Sequence, residues 1–314
     1  MAIAASRNST NVRNMARWAL TYIAFRLASA AAPRRALDAA ARRFATPPRF
    51  PHTAPELELL ALGERFTVGA GDVDLAAWRF GRSDRPVVLM SHGWGGRGAQ
   101  FRRFVAPLRD AGYQVVLFDH VGHGHSGGDA STLVHFAAGI DAVAKHLEAG
   151  GARIVGIVGH SLGAAAAGAW LNANGRAVRT VLIAAPTSLQ RYSELFARQL
   201  GLSEPVRAAM QQRFEALLGR PWRDFELPNA VARVRAPALV IHDGDDREVH
   251  PRAGVRLARA WPGARYLATS GLGHRGVLRD AGVIQDVVDF LADRVVFPLP
   301  PEASRGLGIP APLL

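Results

Sequence analysis

Ser161 stands in the pentapeptide Gly159-His160-Ser161-Leu162-Gly163. A serine hydroxyl is a weak nucleophile at neutral pH until a base takes its proton. The pentapeptide is common by chance, so its flanks decide what it means. The apolar run Ile154-Val155-Gly156-Ile157-Val158 precedes it, and an alanine-rich helical segment from Ala164 to Trp170 follows. Strand, sharp turn and helix are the context in which G-x-S-x-G carries chemistry. Such a turn strains the serine and lifts its hydroxyl above the sheet edge. The flanking glycines are needed because neighbouring chain passes too close for a β-carbon. The helix N-terminus behind the serine supplies positive potential where an oxyanion would form.

Eleven histidines are available as the base. His274, in Gly271-Leu272-Gly273-His274-Arg275, follows the last expected strand and precedes the last expected helix, so its loop reaches the same sheet edge. The base needs an acid to fix its tautomer and stabilise the imidazolium. Asp243, Asp245 and Asp246 compete for this role after the run Leu239–His242. Asp246 is assigned, because it heads the stretch Asp246-Arg247-Glu248-Val249 at the loop apex. A metal site is the competing reading of this cluster, but the twelve-residue calcium ligand spacing is lacking.

A glycine-rich turn, Ser91-His92-Gly93-Trp94-Gly95-Gly96, follows the buried run Val87–Met90. Its Trp94 N–H and the Leu162 N–H are the expected oxyanion donors. A phosphate loop is excluded, since no Gly-Lys-Ser/Thr ending is present. His92, His160, Leu189 and Tyr192 are the expected substrate contacts. Gly122–His125 could be mistaken for a metal tract; the reading preferred is a glycine-rich turn that supports the oxyanion loop. No metal and no cofactor are expected.

The elements that must position these residues alternate. Strands are expected over 59–68, 73–80, 87–90, 114–119, 154–159, 180–184, 238–242 and 265–268. Helices are expected over 98–111, 133–149, 162–174, 252–261 and 277–290. Continuous apolar runs suit parallel strands covered on both faces, and the alternation implies a mostly parallel eight-stranded α/β sheet with helices on both sides. Residues 187–234 interrupt the rhythm without a convincing strand. They read as a small helical cap, with helices near 189–200 and 204–218. The core is expected over 51–186 and 235–297, and a proline-rich tail over 298–314.

The chain has 314 residues, 49% of them apolar and none cysteine, which excludes general disorder, a disulfide scaffold and a cysteine zinc site. The net charge of +12 is uneven. Residues 1–50 hold nine arginines and one acid, Asp38, for +8; the rest of the chain carries +4. No groove-reading motif accompanies the charge, so no nucleic-acid partner is expected. Within 1–50, residues 14–44 have helical periodicity, with Met15, Trp18, Tyr22 and Phe25 on one stripe. That stripe either packs on the globular domain, which is preferred, or makes a peripheral contact with a membrane. A secretory signal is disfavoured by Arg26 in its apolar centre, and the chain reads as cytoplasmic, with possible membrane association. Oligomeric state is left open.

The order serine, acid, histidine and four local motifs together resemble the α/β-hydrolase superfamily, and within it the branch of monoacylglycerol lipases and serine-aminopeptidase-like hydrolases. Asp119-His120-Val121-Gly122-His123-Gly124-His125-Ser126 is similar to that branch's Asp-x-x-Gly-His-Gly-x-Ser. Gly159–Gly163 matches its elbow, Asp246–Val249 its Asp-x-x-Val acid loop, and Gly273-His274 its base motif. The proline usual after the valine is displaced by His250 to Pro251, and the turn at 92–96 lacks the Glu-His pair usual in monoacylglycerol lipases. The resemblance covers about residues 57–295. It implies a serine hydrolase acting through Ser161, Asp246 and His274 on a small-molecule ester or lipid, and the apolar residues of the cap, among them Leu189, Tyr192, Leu195 and Phe196, favour a carboxylic ester with an apolar acyl group of short to medium length. Aminopeptidase, amidase or thioesterase chemistry and a membrane-associated lipid hydrolase are the alternatives. A non-catalytic binding module is disfavoured because all three triad types are present, and dehalogenation because that chemistry uses aspartate at the elbow.

Overall fold

The computed structural model describes residues 18–294 and 297–299. The polar segment 1–13, the expected helix start at 14–17 and most of the proline-rich tail lie outside the described residues. The chain divides into two compact units, one of Pro48–Thr187 with the residues from Leu227 onward, the other of the residues up to Pro47 with Ser188–Glu226.

The larger unit is built on one eight-stranded sheet. Its strands are β1 (Glu64–Ala70), β2 (Val73–Phe80), β3 (Val87–Ser91), β4 (Gln114–Phe118), β5 (Ile154–His160), β6 (Arg179–Ile183), β7 (Ala238–Asp243) and β8 (Arg265–Thr269). They run in the order β1-β2-β4-β3-β5-β6-β7-β8. The pairs β1–β2 and β2–β4 are antiparallel and all others parallel. Side chains alternate across a strand, and the two faces sort accordingly. Val88, Met90, Val158, Val181 and Ile241 share one core with Phe104 and Leu108 of helix Arg102–Asp110 and Val287 of helix Ala281–Leu291. The opposite face carries Leu75 and His242. Gly139 of helix Leu133–Ala149 lies against the first, and Gly254 of helix Arg252–Ala260 against the second. Helix Leu162–Asn174 packs along Leu133–Ala149 on that side. Each fully covered large side chain contributes about 1.5–3 kcal/mol by leaving water, so the buried strands hold the rim above them rigid.

Three element boundaries differ from expectation. Leu59 and Leu60 end a helix, Ala54–Ala61, and the first strand begins only at Glu64. The Glu56 carboxylate accepts the Thr53 N–H at 2.7 Å and its hydroxyl at 2.8 Å, with Pro55 in the first turn. Thr-x-x-Glu is a helix-start signal, and here it wins over the β-like run that follows. The segment 98–111 opens as a 3₁₀ turn, Gly98–Phe101. The segment 277–290 resolves into a short helix at Gly273–Gly276 and a longer one, Ala281–Leu291, whose first turn is capped by the Asp280 carboxylate accepting the Val283 N–H at 2.9 Å.

The smaller unit is helical. Residues 18–31 form one helix and Pro33–Ala45 the next. Proline at the first position of a helix forbids a continuous run through the residue before it, so the expected stretch 14–44 breaks at Ala32. Helices Leu189–Leu200 and Glu204–Leu218 complete the unit. Leu200, Met210, Phe214 and Trp222 form its core, with Phe25, Leu37 and Phe44 packed against it. Phe44 lies within 6 Å, centroid to centroid, of the rings of Tyr192, Phe196, Phe214 and Trp222.

Candidate active site

Sheet register brings the chemistry to one rim. Ser91 at the end of β3 pairs with Gly159, His160 at the end of β5 with Ile183, and Asp243 at the end of β7 with Thr269. The loops that follow these strands therefore open at the same carboxyl edge, where ligands meet open α/β sheets. Ser161 leaves β5 at φ 52°, ψ −122°, a strained conformation for a residue with a β-carbon. Its N–H donates to Ile183 O at 2.9 Å, and helix Leu162–Asn174 starts at the next residue. A β-carbon at Gly163 would overlap the carbonyl oxygens of Ser91 and His92, and one at Gly159 would overlap the backbone of Ala164. Both glycines are therefore required by close packing of strand, turn and helix.

The base side of the rim is built by carboxylates. His274 is buried, and its Nδ1–H donates to Asp246 Oδ2 at 2.7 Å. Asp246 Oδ1 accepts the N–H groups of Glu248 at 2.8 Å and Val249 at 2.9 Å, and His242 Nε2 lies 3.3 Å from Oδ2. Burial alone would raise this carboxyl, but hydrogen bonds from His242, His274 and Val249 outweigh it and hold it well below the usual carboxylate range. Asp243 shapes the loop that presents His274. Its two oxygens accept from the N–H groups of Asp245, Leu272 and Gly273 and from the Thr269 hydroxyl. Asp245 accepts the Gly271 N–H at 2.7 Å. The three competing aspartates thus do three things, and Asp246 is the one that meets the imidazole.

Neutral imidazoles build the opposite side. His92 donates Nδ1–H to Gly93 O at 2.8 Å and accepts the His120 N–H on Nε2 at 3.0 Å. His123 accepts the Gly95 N–H on Nε2 at 3.0 Å and donates Nδ1–H to Val121 O at 2.8 Å. His120 Nε2 meets the Ser91 hydroxyl at 2.9 Å, which in turn donates to Gly163 O. Burial pushes His123 down to about 4, and His92 and His120 well below the ordinary histidine value. Among the described residues, neither the Trp94 N–H nor the Leu162 N–H donates to another group of the chain, so both remain available at the turn. One layer back, the buried Asp119 carboxylate accepts the N–H groups of Gly98 and His125, and burial raises its pKa.

Comparison with known proteins bears on the fold. A family model described as serine aminopeptidase S33 matches residues 82–222. A non-heme haloperoxidase of Rhodococcus erythropolis is 31% identical over 158 residues, which span 47% of this chain and 56% of that protein's length. An esterase of Pyrococcus furiosus superposes with a TM-score of 0.60 at 21% identity, over 79% of this chain and 97% of its own. The thioesterase domain from the curacin biosynthetic pathway superposes with a TM-score of 0.54 at 18% identity, over 73% and 98%. The chain has the α/β-hydrolase fold.

On this hydrolase fold the residues singled out from sequence are distributed as follows. Asp246 and His274 are in contact. Ser161 is brought to the same rim; its hydroxyl makes no hydrogen bond within the chain among the described residues, and in unliganded sites such contacts often tighten only around substrate. His92 is fully buried with both ring nitrogens engaged within the protein. His160 is also buried, and its Nε2–H donates to the His274 carbonyl at 2.9 Å, so the residue before Ser161 holds the loop that carries His274. Leu189 and Tyr192 belong to the smaller unit, Leu189 against its core and Tyr192 exposed beside Phe44. Sequence reasoning missed His242 behind Asp246, Asp243 as loop builder and Glu248, whose Oε2 lies 3.9 Å from His274 Nε2. Only the i, i+4 spacing of His242 and Asp246 hinted at any of them. His52, Asp119 and His125 have ligand atoms within 4.8 Å of one another, but both oxygens of Asp119 already accept backbone N–H groups.

Proposed function

We propose that the protein is a serine hydrolase that cleaves carboxylic esters with apolar acyl groups of short to medium length through an acyl-enzyme on Ser161. The observation that carries this reading is the 2.7 Å bond between His274 Nδ1 and Asp246. With Nδ1–H committed to the carboxylate, the neutral tautomer leaves Nε2 unprotonated, as a general base requires. Ser161 Oγ attacks the acyl carbon while His274 Nε2 takes its proton. The oxyanion sits against the N–H groups of Trp94 and Leu162. The carbon–oxygen bond to the alcohol breaks as Nε2 returns the proton to the leaving oxygen. Water then attacks the acyl-enzyme, again through Nε2, and releases the acid and the serine.

An aminopeptidase reading needs a carboxylate free to meet a substrate ammonium. Glu248 is paired with Arg275 at 3.1 Å and Glu204 with Arg207 at 2.7 Å; Glu194 accepts from Gln190, and Glu215 from Gln211 and the Trp222 N–H. That pairing favours the ester. A fluorophosphonate probe should label Ser161, and a p-nitrophenyl ester series of increasing chain length should give saturable hydrolysis. Labelling elsewhere, or preference for amides or thioesters over esters, would reverse the assignment.

A further inference from the structure

The helix at residues 18–31 turns one side inward, where Phe25 packs on the core of the smaller unit and Ser29 is buried. The other side follows the spacing i, i+3, i+4, i+7, i+11: Leu20, Ile23, Ala24, Leu27 and Ala31. All five are exposed, Leu20 by 67%, Ile23 by 51% and Leu27 by 65%, and the stripe holds no charged residue. A surface helix of a soluble domain normally presents polar residues there, and a contiguous apolar patch marks an interaction site. Trp18 and Tyr22 add exposed aromatic rings, and the Arg43 guanidinium lies 6.0 Å from the Trp18 ring.

Charge decides what covers the stripe. Arg26 on the same helix and Arg34, Arg35, Arg42 and Arg43 on the next helix are exposed, while Asp38, the one acid of residues 1–50, is paired with Arg213 at 2.8 Å. Arg26 also borders a cleft with Ser29 and Ser203 on the flank of the stripe. A second copy docking through this helix would bring two arginine-rich units of like charge together and offer neither a counter-charge. An anionic bilayer surface offers both complements at once, acyl chains for the leucines and phosphates for the guanidinium groups. No helix among the described residues is long and apolar enough to cross a membrane, so the helix would lie in the interface plane.

We propose that the outward stripe of helix 18–31, in a unit whose first two helices expose five arginines, docks the protein on an anionic lipid surface. The inference stands apart from the ester reading, since it concerns binding and needs no turnover. Co-sedimentation of the full chain with phosphatidylcholine vesicles, with and without phosphatidylglycerol, tests it at low and high salt. The wild type should sediment with the anionic vesicles and be released by salt. Both the Leu20→Gln/Ile23→Gln/Leu27→Gln and the Arg34→Gln/Arg35→Gln/Arg42→Gln/Arg43→Gln variants should lose at least about tenfold in partition, with the circular-dichroism spectrum and melting temperature of the wild type. Because all seven side chains are substituted in two independent sets, a folding defect in one leaves the other to decide. Wild-type partition in both variants, no vesicle binding by the wild type, or a leucine-dependent dimer in solution instead of vesicle binding would each overturn the proposal.

Discussion

The two sides of the rim solve one problem with opposite chemistry. The loops after β7 and β8 are held by carboxylates: Asp243 gathers three N–H groups and a hydroxyl, Asp245 gathers another, and Asp246 takes two N–H groups besides the imidazole. The turns at Trp94 and His123, after β3 and β4, are held by buried imidazoles, each accepting or donating single hydrogen bonds, with the Asp119 carboxylate one layer back. The difference follows from what must appear on each side during the proposed reaction. A cation forms on His274, and fixed negative charge stabilises it. An anion forms beside Trp94 and Leu162, and a carboxylate lining that turn would oppose it in a medium of low dielectric. Imidazole can shape such a loop while staying neutral.

The comparison breaks most sharply at the nucleophile both sides serve. Ser161→Ala should reduce ester turnover on the order of 10⁶-fold, measured as kcat with p-nitrophenyl butyrate. On the carboxylate side, Asp246→Asn should cost about 10⁴ in kcat, because an amide can favour the wrong imidazole tautomer. Asp245→Asn should stay within a few-fold. If the two values are exchanged, the acid has been misassigned. On the imidazole side, His123→Phe keeps a ring but deletes both hydrogen bonds to Val121 and Gly95. A fall in kcat of about tenfold to a hundredfold with little change in KM is expected, as for a displaced oxyanion donor. His123→Gln should recover part of it. A change in KM alone would make His123 a substrate contact instead.

Acid should separate the two sides through stability. Below about pH 6.5 the unfolded chain protonates its imidazoles, while folded His123 is held at about 4 and His160 at about 3 by burial. The unfolded state then binds more protons, so stability falls as pH drops from about 6.5 through these values, by up to ~1.4 kcal/mol per pH unit for each imidazole. Asp246, held low, adds its loss only below the ordinary carboxylate range. Urea midpoints between pH 7 and 4 should show the first slope, and His123→Gln should flatten it; an unchanged slope would remove His123 from the account. The smallest effect lies outside either side of the rim. Thr53→Ala should cost about 1 kcal/mol of stability and leave kcat unaltered, since it weakens a helix start.

Local grammar made the centre of the site legible. Ser161 sits in a pentapeptide whose flanks show strand and helix, and Asp246 and His274 each follow an apolar run that must end at the rim. The turn at Gly122–His125 reaches the turn at 92–96, through His123 and Gly95. What escaped is set by distance in sequence. His160 meets the His274 carbonyl across 114 residues, and His92 meets the His120 N–H across 28. No local pattern announces such a bond. The partner of the N-terminal helices was hidden likewise, because Phe44 finds Phe214 and Trp222 only after the chain has traced most of the sheet. Leu59 and Leu60 were misread for a different reason. An apolar pair suits strand or helix equally, and the decision lay upstream in Thr53 and Glu56.

The strand order has a consequence for how the protein is born. β5, which delivers the serine, lies inside the sheet, whereas β8, which precedes the histidine, is one of its two edge strands and the last to be made. On the proposed mechanism, a nascent chain leaving the ribosome carries the Ser161 hydroxyl for more than a hundred residues before His274, its proposed proton acceptor, emerges. On that reading the growing polypeptide stays chemically silent until its final edge has been laid down, and truncation before Gly273 should yield an inert product however well the rest folds.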